Sequence, residues 1–191
     1  MEERVKTIHE RRRCQTCPSE DNIRYVLFIV DTSGSIGRLH FTRVKNLLAL
    51  MSEKFCDHLR VAMITFGSDI NLEFCFNCHN DRCGIFEAIT RAQYRGRLTH
   101  VTDATKCACQ TLLTEECELP RGSLTPNIDV VYLTDGKRNG PCSNNLTNEV
   151  KCFHSQSNIN TYATAIGNPA SESVQVLENP RNSNDTSFQH A

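Results

Sequence analysis

The chain has 191 residues, including 11 cysteines, and its 21 lysines and arginines nearly balance 22 aspartates and glutamates. A chain of this length can bury a substantial core as one compact domain, so disulfides or a bound metal would add to folding rather than replace the core. The balanced, scattered charges exclude the basic surface of a nucleic-acid-binding protein, and no stretch is apolar for long enough to insert into a membrane.

The first part of the chain differs in character from the rest. Residues 1–22 are polar and charged with no sustained apolar period, which predicts a leader or linker carrying Cys14 and Cys17 and places the domain at residues 23–191. This segment lacks the apolar run of a signal peptide, whereas 11 cysteines are typical of an oxidising, extracellular compartment. We therefore expect a fragment of a longer secreted or cell-surface protein.

Two hydrophobic patterns alternate along the predicted domain. Continuous apolar runs rich in β-branched and aromatic residues predict strands buried on both faces, and apolar residues at helical spacing predict amphipathic helices. The predicted strands are residues 25–30, 61–66, 72–76 (a more polar edge strand), 128–133 and 159–166, and the predicted helices are residues 37–59, 85–94, 102–113 and 171–177. The apolar face predicted for the first helix consists of Phe41, Val44, Leu47, Leu48, Met51 and Phe55.

Strands that alternate with helices imply an α/β fold, a doubly wound and mostly parallel sheet flanked by helices. Too few residues follow Pro180 for the last strand and helix that such a domain usually has, so we expect a truncated C-terminal end. Ligands of these sheets bind at the carboxyl ends of the strands. The functional residues should therefore lie in the loops that leave those ends.

Oxygen-bearing side chains follow two of the predicted buried strands. The motif Asp31-x-Ser33-x-Ser35 comes directly after the first strand, Asp135 follows the fourth, and Thr99 lies in the loop before the third helix, so all five can meet at one edge. Two carboxylates and three hydroxyls suit a hard cation, best Mg²⁺ with Ca²⁺ or Mn²⁺ as alternatives, and disfavour zinc. Because hydroxyls are neutral, the ion would keep positive charge and an open position for an Asp or Glu of a partner.

These motifs resemble the von Willebrand factor A family over about residues 23–180. The family's metal-ion-dependent adhesion site combines a D-x-S-x-S loop, a threonine before the third helix and an aspartate in a T-D-G loop, and its most specific matches here are residues 31–37 and 133–136. The threonine loop departs from the family, which often has paired glycines before the threonine, so Thr102 is an alternative ligand to Thr99. The resemblance implies a Rossmann-like domain that binds extracellular or matrix proteins through their carboxylates, as in adhesion.

Each of these residues also has a simpler interpretation. Asp, Ser and Gly are ordinary capping and turn residues, and only their combination behind two buried strands favours a metal site. A phosphoryl-transfer enzyme can use an aspartate at the end of the first strand as nucleophile, but a dehalogenase-like site would want a second aspartate where Ser33 stands. We therefore predict a binding module and no catalysis.

The cysteines leave a further choice open. In an oxidised compartment they would brace the edge strand and the neighbouring helices as disulfides, with Cys142 and Cys152 able to close a local loop, and Asn145 and Asn184 would begin glycosylation sequons. In the cytosol, Cys75-x-x-Cys78-His79 and nearby cysteines could bind zinc, and the domain would be a structural or scaffold module of an intracellular complex. The disulfide candidates are Cys56, Cys75, Cys78, Cys83, Cys107, Cys109, Cys117, Cys142 and Cys152.

Overall fold

The computed structural model describes residues 23–55, 58–79, 81–113, 126–137 and 146–167, together with Leu177. The predicted helix at residues 171–177 therefore lies outside the described residues, apart from Leu177, which is buried in the core. None of the helices in the described part is long and apolar enough to cross a membrane. The elements, in chain order, are β1 (Arg24–Asp31), α1 (Gly37–Ser52), β2 (Leu59–Phe66), β3 (Ile70–Phe74), α2 (Arg82–Arg91), α3 (Val101–Leu113), β4 (Ile128–Thr134), α4 (Leu146–His154) and β5 (Ile159–Ala165).

The strands form one sheet in the order β3-β2-β1-β4-β5. β1 pairs in parallel with β2 and with β4, and β4 pairs in parallel with β5, whereas β3 runs antiparallel to β2 at the edge. The predicted doubly wound, mostly parallel sheet is confirmed. The chain first adds β2 and β3 on one side of β1 and then adds β4 and β5 on the other side. The direction in which strands are added therefore reverses between β1 and β4. That reversal leaves a crevice at their carboxyl ends.

β1 is apolar on both faces because it lies in the middle of the sheet with helices on both sides. Leu27 and Ile29 point into one core layer, which includes residues of α3 and α4. Phe28 and Val30 point into the other layer, which includes residues of α1 and α2. Burial on both faces therefore explains the uninterrupted apolar run of this strand.

α1 presents a narrower apolar face to the sheet than predicted. Phe41, Val44 and Leu48 are buried as expected, whereas Leu47 and Met51 are 56% and 43% exposed. At about 100° per residue, positions 47 and 51 lie roughly 120° and 80° around the helix from Phe41, which is at the centre of the buried face. The helix also ends before residue 59, because β2 already begins there.

The helix α4 was not predicted from the sequence. Among its described side chains, Val150 and Phe153 are the buried apolar ones, which is too few for a clear helical period. A weaker signal is present in the charges, since Glu149 lies in the first turn and Lys151 and His154 lie in the last, as the helix dipole favours.

Candidate metal centre

The loop between β1 and α1 holds the first carboxylate in the crevice. Asp31 is the last residue of β1 and is completely buried. Its Oδ1 accepts a hydrogen bond from the Ser33 backbone N–H (2.8 Å), and its Oδ2 accepts one from the Thr134 hydroxyl (2.7 Å). The register of β1 and β4, which pairs Val30 with Leu133, brings Thr134 beside Asp31. One carboxylate oxygen is thus oriented by the loop that follows β1 and the other by the end of β4.

The two serines of this loop connect the buried carboxylate to the surface. The hydroxyls of Ser33 and Ser35 lie 3.0 Å apart. Ser33 is completely buried, whereas Ser35 is exposed. Gly37, at a φ of +75° that favours glycine, then starts α1. A ligand held by these hydroxyls is therefore accessible from solvent on the Ser35 side.

The end of β4 supplies the second carboxylate. Asp135 is buried, and its Oδ1 accepts a hydrogen bond from the Lys137 backbone N–H (3.0 Å). Its Oδ2 is buried without a hydrogen-bond partner. The Lys137 ammonium, on a half-exposed side chain, forms an ion pair with that oxygen at 3.6 Å, which is too long for a hydrogen bond. One oxygen of Asp135 thus remains available to a ligand.

A third loop, between α2 and α3, is attached to the first through its backbone. The Gly34 N–H donates to the Arg97 carbonyl, and the Gly96 N–H donates to the Thr32 carbonyl, both at 2.8 Å. A Cβ added at Gly34 would lie 3.1 Å from the Arg97 carbonyl oxygen, so this close approach favours glycine. Thr99 follows, buried, with an Oγ1 that has no hydrogen-bond partner.

The two carboxylates of the crevice, those of Asp31 and Asp135, repel each other when no metal ion is bound. Burial raises the pKa of the Asp31 carboxyl from 3.8 to about 6, and the nearby negative charge of Asp135 adds to that rise. The hydrogen bonds from Ser33 and Thr134 act in the opposite direction but do not cancel the effect of burial. A positive ion in the crevice would relieve both the repulsion and the loss of solvation.

The donor set fits a hard divalent cation. An unpartnered buried polar atom costs about 1–3 kcal/mol, and the crevice holds two, Thr99 Oγ1 and Asp135 Oδ2. Thr102, the alternative ligand, is also buried, in the first turn of α3. Nowhere in the described ranges, the crevice included, is a group of three or more His, Cys, Asp or Glu side chains arranged to hold a metal ion. The crevice does not form such a group because hydroxyls make up most of its proposed ligand set.

A family model, the von Willebrand factor type A domain, matches residues 26–191. The chain belongs to this family. Matrilin-3 of Mus musculus is 25% identical over 161 residues, which cover 80% of the chain and 31% of matrilin-3. The collagen alpha-1(XX) chain of Homo sapiens is 26% identical over 160 residues, which cover 81% of the chain and 12% of the collagen. The chain therefore spans less than a third of either relative.

The fold of this A domain is also that of a solved structure, proximal thread matrix protein 1 from the mussel byssus with zinc in its metal-ion-dependent adhesion site. The TM-score is 0.71 at 16% identity, over 83% of this chain and 42% of that one. At this level of identity the likeness shows the fold alone. The zinc is bound by the mussel protein. Which ion the present chain binds depends on its own ligands.

A disulfide connects two helices rather than closing one short loop. It joins Cys109 of α3 to Cys152 of α4, with Cα atoms 6.5 Å apart. The alternative of a local loop closed by Cys142 and Cys152 is wrong, because α4 packs against α3 and places Cys152 next to Cys109. Cys75 is disulfide-bonded as well.

Two other disulfide candidates differ from expectation. Cys78 and Cys83 are exposed free thiols. The Cys78 sulfur instead accepts a hydrogen bond from the Cys75 N–H (3.2 Å) within a tight turn, and Cys83 lies in the first turn of α2. Cys107 is half-buried on α3. The remaining candidates lie outside the described residues: Cys14, Cys17, Cys56, Cys117, Cys142, Asn145 and Asn184.

Proposed function

We propose that this A domain is a metal-dependent protein-binding module whose cation is held by Asp31, Ser33, Ser35, Thr99 and Asp135. The observation that carries the proposal is the pair of buried, unpartnered oxygens Thr99 Oγ1 and Asp135 Oδ2. A divalent cation satisfies both atoms and neutralises two mutually repelling carboxylates. The unpartnered hydroxyl also favours Thr99 over the alternative ligand on α3.

Mg²⁺ is the proposed ion because it prefers oxygen ligands, keeps some of its waters and needs only one or two carboxylates. Ca²⁺ and Mn²⁺ are the alternatives. Zinc is tested beside them because a structurally similar protein holds it at the corresponding kind of site. Competition among the four ions at fixed pH ranks them for this chain.

The proposed partner is an extracellular or matrix protein that presents an Asp or Glu to the cation. The five proposed ligands leave the sixth position of an octahedral ion open, and an oxygen of a partner carboxylate can fill it. The exposed hydroxyl of Ser35 marks the side from which that carboxylate can approach. A matrix setting is supported by the kinds of protein that the chain is similar to, a collagen chain and a thread matrix protein among them.

An extracellular location is proposed from the covalent link between α3 and α4, since disulfides persist in oxidising compartments. The exposed thiols of Cys78 and Cys83 favour the second candidate, a scaffold module in a reducing compartment. Counting reactive thiols in the protein purified without reductant separates the two. Many reactive thiols support the scaffold and few support secretion.

Binding is proposed rather than catalysis because of how Asp31 is held. Both of its carboxylate oxygens accept short hydrogen bonds, which lowers their reactivity as a nucleophile. The position where a dehalogenase-like site would want an acid is occupied by Ser33, whose hydroxyl contacts Ser35.

The test is titration calorimetry of Mg²⁺ into the chelator-stripped chain, alone and with an acidic peptide as a mock partner. The variant Asp31→Ala should lose saturable binding, whereas the control Asp69→Ala, which removes an exposed carboxylate of the β2–β3 turn, should keep it. Absence of Mg²⁺ binding by the intact chain, or equal peptide binding with and without chelator, would refute the metal-dependent function.

A further inference from the structure

A basic groove of about 490 Å³ lies between α1 and the C-terminal end of α2. Three cationic side chains, Arg38, Lys45 and Arg91, line it together with the rings of Phe41 and Tyr94. We refer to this surface as the α1–α2 groove. It is separate from the ligands of the proposed cation.

The cations of the α1–α2 groove differ in how far they are neutralised. Arg91 forms an exposed ion pair with Glu87 (3.0 Å). The Lys45 ammonium donates to two backbone carbonyls at the end of α2 (3.1 and 3.2 Å), which carry no net charge. The Arg38 guanidinium lies 5.1 Å from the centre of the Tyr94 ring and is exposed. The groove therefore has an excess of positive charge over the single glutamate.

One end of the groove adjoins the candidate metal centre. Arg38 lies in the first turn of α1, directly after the serine loop. On the opposite wall, a Cβ added at Gly96 would lie 3.5 Å from the Tyr94 hydroxyl oxygen. The Gly96 N–H in turn donates to the Thr32 carbonyl of the metal-centre loop (2.8 Å). The same short segment thus carries the groove wall and contacts the metal centre.

The length of the groove corresponds to a short piece of extended chain. From Arg38 to Lys45 the helix rises about 10 Å, which is about three residues of an extended peptide. If one carboxylate of a peptide binds the cation, the peptide residues about two to five positions from that carboxylate would pass Arg38 and lie in the groove. Acidic side chains at those positions would meet uncompensated positive charge.

We propose that the α1–α2 groove binds an acidic peptide segment of the same partner that supplies the metal-bound carboxylate, with Arg38 as the main contact. This inference rests on the proposed function and adds a sequence preference to it. A peptide is favoured over a sulfated polysaccharide because Arg38 and Arg91 are the exposed cations among the three that line the groove, and Arg91 is already paired. A polysaccharide would need a denser array of free cations.

The experiment compares two synthetic peptides of equal length by fluorescence anisotropy in saturating Mg²⁺. One contains a single glutamate among glycines and serines, and the other has three further glutamates two, four and five positions after the first. The wild-type chain should bind the second peptide about three to ten times more tightly, the range expected for one or two surface ion pairs. Arg38→Ala should remove most of this preference, and Arg38→Lys should retain part of it. Arg43→Ala, which removes an exposed arginine of the same helix outside the groove, should retain all of it.

The outcomes separate this inference from the function on which it rests. If neither peptide binds in a Mg²⁺-dependent way, the proposed function fails. If both bind through Mg²⁺ with equal affinity, or if Arg38→Ala keeps the full preference, the groove proposal is overturned and the function stands. Stronger Arg38-dependent binding of a sulfated oligosaccharide than of the four-glutamate peptide, in the presence of chelator, would also overturn it.

Discussion

The middle of β1 and its carboxyl end are equally buried, but burial has a different effect on the stability of the fold in each region. Leu27 and Ile29 in the middle are completely buried among apolar neighbours. At the carboxyl end, in the crevice, Asp31 is just as buried but has a raised pKa. Thr99 and Asp135 beside it each keep an oxygen without a hydrogen-bond partner. Burial stabilises the fold in the first region and destabilises it in the second unless a ligand compensates. The comparison predicts opposite effects for substitutions only a few residues apart.

The largest effect is expected in the middle of the strand. Leu27→Ala should lower the free energy of unfolding by about 3 kcal/mol, because it removes buried methyl groups and leaves a cavity. The Mg²⁺ affinity of the folded fraction should stay within about twofold, since Leu27 lies on the layer of α3 and α4 and not in the crevice. Urea unfolding and calorimetry measure the two quantities. A loss of metal affinity as large as the loss of stability would contradict this separation of regions.

Asp31→Asn should have the opposite effect on the metal-free protein. The carboxyl titrates at about 6 in the folded chain and near 3.8 when unfolded, so folding binds a proton in that range and stability falls as the pH rises from about 4 to about 6. At pH 7 the amide removes this penalty, and the variant should be more stable by roughly 2–3 kcal/mol. Unfolding in chelator at pH 4 and pH 7 measures the difference, which should nearly vanish at pH 4.

Saturating Mg²⁺ provides the control for that prediction. The ion binds the folded wild-type chain and stabilises it by mass action, whereas the variant has lost the charge that holds it. The order of stability at pH 7 should therefore reverse when Mg²⁺ replaces the chelator. An Asn variant that is less stable than wild type under both conditions would show that Asp31 serves the fold rather than the ligand.

A pair of threonines tests the same comparison at the level of one hydroxyl. Thr99 Oγ1 has no partner, whereas Thr105 Oγ1, on α3, donates to the Val101 carbonyl (2.8 Å) and accepts from the Tyr132 hydroxyl (3.2 Å). Thr105→Val should destabilise the metal-free chain by about 1–2 kcal/mol, and Thr99→Val should leave it unchanged or stabilise it by up to about 1 kcal/mol. Only Thr99→Val should weaken Mg²⁺ binding, by about tenfold. Equal destabilisation by both would remove the argument for a ligand at Thr99.

The sequence predicted most of the sheet because β1, β2 and β4 are buried strongly enough for their apolar runs to be clear, whereas β5 is less buried and was indicated by its β-forming residues. The sequence did not predict α4, whose position depends on packing and on a disulfide to α3, neither of which leaves a local period. The apolar periodicity also predicted a broader buried face for α1 than the structure shows, since Leu47 and Met51 are exposed. For the candidate metal centre, the order of the motifs along the chain indicated which residues follow which strand. The backbone bonds that join Gly34 to Arg97 and Gly96 to Thr32 had no signal in the sequence, since they depend on two loops distant along the chain.

The smallest effect concerns the loop that carries Thr99. Arg97 adopts a φ of +69°, a left-handed conformation that costs a side chain with a Cβ roughly 1 kcal/mol. Arg97→Gly relieves this strain and should raise stability slightly, by up to about 1 kcal/mol, because the greater freedom of glycine in the unfolded chain offsets part of the gain. Arg95→Gly, in the same loop but without a positive φ, should lower stability instead, because it adds freedom to the unfolded chain and also removes the long ion pair with Glu73 (3.9 Å). Chemical unfolding of both variants decides the point: if the two changes have the same sign, the conformation at Arg97 is not strained, and the loop holds Thr99 without a conformational penalty.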